Sequence, residues 1–153
     1  MSYPNSLETN MTAYSGSMQA TVFEATGPGP AYPPTKIIRT DQPWGVKVEW
    51  EMTGALVTWL NANFQIKVVL EKMGPGADVA LPPVLVNTLT GTLNPAIPSR
   101  SYSYNIKVAP HATPEGVYRV VVLLHLFDDG TGDPAPIAGF ADSGYIDIFQ
   151  PAP

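Results

Sequence analysis

One run of twelve residues, Gly116–Phe127, constrains the fold more than any other part of the sequence. It is aliphatic and β-branched, contains no proline and follows the turn signal Pro114-Glu115-Gly116. Such a run predicts a strand in the middle of a sheet that is covered on both sides. One face of this strand would be wholly apolar and the other mixed; they consist of Tyr118, Val120, Val122, Leu124 and Leu126, and of Val117, Arg119, Val121, Leu123 and His125.

The composition favours many short strands and turns. The chain has 153 residues, of which 44% are hydrophobic, and this suffices for the core of one domain. It contains 17 prolines and 13 glycines, which interrupt helices and mark turns. We therefore expect one domain, or one domain with a tail.

Charge and cysteine content exclude several classes of function. The net charge is −5 and the eight Lys and Arg residues are scattered, which argues against nucleic acid or an anionic membrane surface as a partner. There is no cysteine, so disulfides, thiolate metal sites and thiol catalysis are excluded. The start of the sequence does not resemble a signal peptide, and no apolar run reaches the ~18 residues of a membrane span. These observations leave the compartment unknown: we expect a cytoplasmic protein or one exported by a non-classical route.

Alternating apolar and polar residues place the other strands. A turn signal separates each from the next, and no segment has a sustained helical period. The pattern predicts an all-β fold, an antiparallel immunoglobulin-like β-sandwich of seven to eight strands. The expected strands are 18–25, 36–40, 45–53, 64–73, 84–89, 101–108, 116–127 and 144–149, of which 84–89 is expected at an edge because prolines precede it.

The first 35 residues differ from the rest. They contain no Lys or Arg, and Gly27–Pro34 is typical of a semi-rigid linker. We therefore expect an N-terminal extension with one strand, residues 1–35, followed by the sandwich domain, residues 36–153. The strand Met18–Ala25 would pair with a sheet edge, either in its own chain or in a neighbouring one.

Three segments carry a resemblance to a known group of proteins. Thr40–Trp50, the turn Gly74-Pro-Gly76 and Pro134–Phe140 together resemble uncharacterised bacterial immunoglobulin-like modules. The resemblance covers about residues 36–150. It implies the immunoglobulin-like fold, and it brings no assigned activity and no catalytic residues.

The alternation also predicts the core. We expect one nearly fully buried cluster with Trp50 as its central tryptophan, consisting of Trp50, Val68, Tyr104, Val120, Val122 and Leu124.

Polar clusters in the sequence do not make a convincing catalytic or metal site. His125 and Arg119 share a strand face, but no serine or carboxylate is tied to His125 by spacing. Glu49 and Glu51 are typical of the solvent-exposed face of a sheet, and Glu71 of the next long strand could lie beside them. The acid-rich loop 128–133 lacks the ligand spacing of an EF-hand, so a solvated turn is favoured over a calcium site. We expect no catalytic residue, no cofactor and no metal.

Exposed apolar groups suggest the function. Strand faces with Val69 and Val117 are too apolar for a free monomer. We therefore expect a non-enzymatic structural or interaction module that associates with itself or with another protein. Its interface candidates are Met18, Val22, Phe23, Trp44, Trp59, Val121 and Leu123. The alternative is a carbohydrate-binding module that uses Trp44 and Trp59, because loop aromatics can stack on sugar rings.

Overall fold

The computed structural model describes residues 3–9, 15–25, 34–55, 57–128 and 134–152. The chain is all-β, and a single turn of 3₁₀ helix, Thr88–Thr90, is the only helical element in these residues. Across the same ranges no helix has the length and apolarity needed to cross a membrane. The strands are β1 (Asn5–Ser6), β2 (Glu8–Thr9), β3 (Ser15–Glu24), β4 (Ile37–Arg39), β5 (Trp44–Thr53), β6 (Ala62–Lys72), β7 (Val79–Ala80), β8 (Val84–Asn87), β9 (Thr92–Asn94), β10 (Ser99–Val108), β11 (Gly116–Asp128) and β12 (Pro134–Phe149).

The strands form two sheets. Sheet A has five strands in the order β1-β3-β5-β10-β9. Sheet B has seven, with β2-β12-β11-β6-β7 in order, β4 beside β12 and β8 beside β6. All pairs are antiparallel except β4 with β12. This arrangement is compatible with a β-sandwich.

The strand β11 lies in the centre of sheet B, as its composition predicts. It pairs with β12 on one side and with β6 on the other, over nearly its whole length. The structure has twelve strands in the described residues, and the expected number of seven to eight is not confirmed. The difference lies in the four pieces of two or three residues, β1, β2, β7 and β9, which are too short to show an alternating pattern.

The core lies between the two sheets and contains side chains from both. The Trp50 ring of sheet A stacks on Tyr102 at a centroid distance of 5.1 Å and meets the edge of Phe64 of sheet B at 5.5 Å. Of the predicted core cluster, five members are buried: Trp50, Val68, Val120, Val122 and Leu124.

The prediction for Tyr104 is wrong, because 39% of this residue is exposed. It lies opposite Val48, on the inward face of sheet A. Its strand, β10, is bordered by the short β9 only as far as Ser101. Tyr104 therefore lies where no described strand flanks β10 on that side, and alternation alone does not reveal this position.

The N-terminal strand β3 pairs within its own chain. Ten residue pairs, from Ser15 opposite Thr53 to Glu24 opposite Trp44, join β3 to β5. On its other side β3 pairs with β1, so it lies inside sheet A. Its inward residues Met18 and Val22 belong to the common core.

The two sheets come close where β3 approaches β12. A Cβ atom added at Gly139 of β12 would lie 2.4 Å from Leu7 and 2.5 Å from Met18. Further along β12, a register shift leaves Ser143 as an extra residue, and its hydroxyl donates to the Ala20 carbonyl of β3. This bulge therefore directs a side chain from one sheet to the other.

Candidate functional site

Sheet B presents an unusually apolar outer face. The register aligns outward residues of neighbouring strands in rows: Lys67, Leu123 and Phe140 form one row, and Glu71, Arg119 and Tyr145 form another. Of the twelve large apolar residues exposed in the described chain, seven lie on this face: Ile37, Leu85, Val117, Leu123, Phe140, Tyr145 and Phe149. We call these seven residues, with the charged side chains between them, the sheet B face.

The outer face of sheet A has the opposite character. Its outward positions along β3, β5 and β10 carry serine, threonine, asparagine, glutamine, glutamate and lysine. Gln19 donates to the Glu49 carboxylate at 3.0 Å, and Lys47 lies 3.9 Å from the same carboxylate. The apolar exception, Phe23, is buried against Gly45, where a Cβ atom would lie 2.5 Å from its ring. Only one side of the molecule therefore offers a broad apolar surface among the described residues.

An ionic row crosses the sheet B face. The Arg119 guanidinium donates to the Asp142 carboxylate at 2.7 Å and lies 3.6 Å from the Glu71 carboxylate. The hydrogen bonds from Arg119 and from the Gly144 amide lower the pKa of Asp142 below its ordinary value. The three groups come from β6, β11 and β12, so this row links three adjacent strands and separates the apolar groups on either side of it.

The structure separates the interface candidates named from the sequence into buried and exposed ones. Met18 and Val22 lie in the core, Phe23 covers Gly45, and Trp44 and Val121 are also buried. Leu123 and Trp59 are exposed, on the sheet B face and in the loop after β5 respectively. Among these residues only Val121 and Leu123 lie together on the sheet B face.

Trp59 is the most exposed large apolar residue described, at 78%. Its loop is held by Arg100, a buried arginine that reaches the carbonyl oxygens of Val57, Thr58, Leu89 and Gly91 at 3.3, 3.4, 3.2 and 2.9 Å. The planar guanidinium can satisfy several carbonyls at once, which a lysine cannot do. Arg100 thus fixes the backbone on which Trp59 projects into solvent.

The polar clusters considered from the sequence do not come together. Glu49 and Glu51 lie on the outer face of sheet A, whereas Glu71 lies on that of sheet B, because β5 and β6 belong to different sheets. His125 faces outward beside Phe127, at a ring distance of 4.9 Å. No group of three His, Asp or Glu side chains in the described ranges could hold a metal ion. Most of the acid-rich loop 128–133 lies outside the described residues.

A shallow cavity of about 370 Å³ lies at one end of the molecule. His111 lines it with a positive φ of 63°, and its amide donates to the Thr40 carbonyl at 2.6 Å. Asp41, also in the lining, is engaged by Arg39, whose hydrogen bond lowers the pKa of the Asp41 carboxyl. The lining thus contains a loop histidine and a carboxylate that already has a partner.

Five residues of the sheet B face are not singled out by the sequence: Ile37, Leu85, Phe140, Tyr145 and Phe149. Phe140 and Tyr145 belong to β12, of which the sequence predicts only the part at 144–149. Phe140 and Asp142 do show the period of two, and the Ser143 bulge then shifts the phase so that Tyr145 faces outward too. Because this one-residue bulge interrupts the alternation, a strict period of two does not predict β12 as one continuous strand.

The chain matches no protein-family model, and no curated protein is similar to it at a significant level.

Proposed function

We propose that this protein is a non-enzymatic structural or interaction module that associates through the sheet B face, with itself or within a larger protein assembly. The observation that supports this most is the contrast between the two outer faces. Large exposed apolar groups gather on sheet B, while sheet A is covered by short polar and charged side chains. Large apolar groups gathered on one side of a folded chain mark a contact surface more often than a free one.

The immunoglobulin-like type is part of this proposal. The order β3-β5-β10-β9 in sheet A and β12-β11-β6 in sheet B corresponds to the ABED and GFC sheets of immunoglobulin-like sandwiches. The hydroxyl of Tyr118, near the start of β11, donates to the Pro114 carbonyl at 2.8 Å, which is the contact of a tyrosine corner. The core tryptophan departs from the antibody pattern, since Trp50 lies on the strand that corresponds to B.

A matched pair of charge substitutions tests the proposed surface. Phe140→Glu places a carboxylate on the sheet B face, and Ser103→Glu places one on the outer face of sheet A. Light scattering on the full chain over a range of concentrations should show association for the wild type and for Ser103→Glu. Phe140→Glu should stay monomeric with a nearly unchanged melting temperature. Equal association of all three proteins would contradict the proposal, and association of none of them would exclude self-association through this face.

Carbohydrate binding is the second candidate, and the exposed Trp59 ring favours it. Trp44, the other loop aromatic considered, is only 2% exposed and cannot stack on a sugar. The candidate therefore depends on Trp59 in its Arg100-supported loop. A glycan array on wild-type protein beside Trp59→Ala would support it through signals that the substitution removes. An array without any signal would exclude the glycans tested.

A further inference from the structure

Two charged residues of the sheet B face are arranged in a self-complementary way. Lys67 and Glu71 lie on β6, four residues apart and opposite Leu123 and Arg119 respectively. Val69 lies midway between them, opposite Val121. A two-fold axis that runs across the strands along the row of Val69 and Val121 would place Lys67 of one copy opposite Glu71 of another.

The same axis brings the apolar residues together. It superposes the row of Leu123 and Phe140 on the row of Arg119 and Tyr145. Phe140 then faces Tyr145 of the other copy, and Leu123 packs on the aliphatic stem of Arg119. Both contacts occur twice, as in any isologous interface. On the axis itself Val121 is buried at the centre of the sheet, and Asp142, which pairs with Val121, faces Asp142 of the other copy while its carboxylate is bonded to Arg119 of its own chain.

On the basis of the proposed function, we propose that a second copy of this chain covers the sheet B face. The two copies pack face to face about this axis, with their β11 strands antiparallel. The charges favour a copy over a strongly basic or acidic partner. On β4, β6, β11 and β12 the outward positions carry three cations, Arg39, Lys67 and Arg119, and three anions, Glu71, Asp142 and Asp147. The whole chain, by contrast, has a net charge of −5, so this face meets its own copy without local excess charge.

The size of the face fits a dimer. Five strands at ~4.8 Å spacing and about nine residues of β11 at ~3.4 Å each give a planar area of roughly 24 by 30 Å, or about 700 Å². A stable interface buries ~800 Å² per partner. Side chains that project from the plane add accessible area to this estimate, so the sheet B face is large enough for a stable dimer interface.

Two opposite charge reversals test the arrangement. In Lys67→Glu, two Glu71 carboxylates would face two new carboxylates across the interface, and in Glu71→Lys the corresponding lysines would face each other. Each variant alone should dimerise at least ten-fold more weakly than wild type. An equimolar mixture of the two should recover dimers, because each copy then supplies the charge that the other lacks. The double variant Lys67→Glu/Glu71→Lys should recover them too.

The readout is the mass by sedimentation velocity, against twice the chain mass of 16.4 kDa, with melting temperatures to verify folding. Lys107→Glu, on the outer face of sheet A, is the control for Lys67→Glu with the same change of net charge, and it should dimerise like wild type at 0.15 M salt, where the repulsion between copies is screened. A wild-type dimer whose single variants are not rescued by mixing would overturn this two-fold arrangement and leave the proposed function standing. A wild type that is monomeric at millimolar concentration would overturn both the second copy and self-association through this face.

Discussion

At the scale of the residue, Val122 tests whether the core has been assigned correctly. It is fully buried between the sheets, whereas Val117 of the same strand is 42% exposed on the outer face. Val122→Ala should lower the free energy of unfolding by about 1–3 kcal/mol, through lost burial and a residual cavity. Val117→Ala should change it by less than about 0.5 kcal/mol. Denaturant unfolding measures both, and equal effects would contradict the assignment of inner and outer faces.

The stability of the folded chain at alkaline pH should depend on the ionisation of Tyr102. Burial raises the pKa of its phenol to about 12, and the hydroxyl donates to the Thr88 carbonyl at 2.6 Å. An unfolded tyrosine has a pKa of ~10. Because the pKa is higher in the folded state, the stabilisation is complete below pH 10 and is lost as the pH rises from 10 to 12.

The loss of unfolding free energy caused by Tyr102 should reach roughly 2–3 kcal/mol at pH 12. The Tyr102→Phe variant should not show this loss. Unfolding free energies of both proteins at pH 9 to 12 give the difference. Curves that run parallel over this range would show that Tyr102 titrates normally in the folded state. The substitution also removes the hydrogen bond to Thr88, but that effect is present at the lower pH as well and cancels in the comparison.

At the scale of the element, the sequence predicts where strands lie better than how they pair. The runs expected at 116–127 and 45–53 are observed at Gly116–Asp128 and Trp44–Thr53, because a period of two is a local property of the chain. Pairing depends on distant segments. Nothing in the alternation of β5 and β6 indicates that these consecutive strands belong to different sheets.

The position of β3 inside sheet A gives a prediction for truncation. Deleting residues 1–25 removes β1, β2 and β3, leaving one side of β5 without its ten partner residues and uncovering the core near Trp50. Unpaired edges and bare apolar surface promote aggregation. We expect the truncated chain to lose solubility, to bind hydrophobic dyes and to elute in the void volume of a sizing column. A truncated protein with unchanged size, solubility and melting temperature would contradict a structural role for β3.

At the scale of the whole molecule, the candidate site could be predicted only in part. The mixed face of β11 does indicate a partly apolar outer surface that favours contact with another surface. It contributes Val117 and Leu123 to the sheet B face. Phe140, Tyr145 and Ile37 join them only because β12 pairs with β11 and β4 pairs with β12. Conversely, Trp44 looks like a loop aromatic in the sequence but is buried, because it begins β5 and pairs with both β3 and β10.

The proposed dimer predicts an effect of salt. Two copies of net charge −5 with centres about 20–25 Å apart would repel by roughly 2–3 kcal/mol at 0.01 M salt, where the Debye length is ~30 Å, and by well under 1 kcal/mol at 0.15 M, where it is ~8 Å. The apolar contacts do not depend on salt in this range, and exposed ion pairs contribute at most ~1 kcal/mol each.

Dimerisation should therefore strengthen about ten-fold between 0.01 and 0.15 M sodium chloride, which sedimentation equilibrium at several concentrations can measure. Lys107→Glu makes each copy more acidic without touching the sheet B face, so its dimer should respond to salt more steeply than wild type. A wild-type dimer that weakens as salt is added would mean that ionic contacts such as Lys67 with Glu71 outweigh the repulsion between the acidic copies. In that case the apolar rows would not be the main source of the affinity.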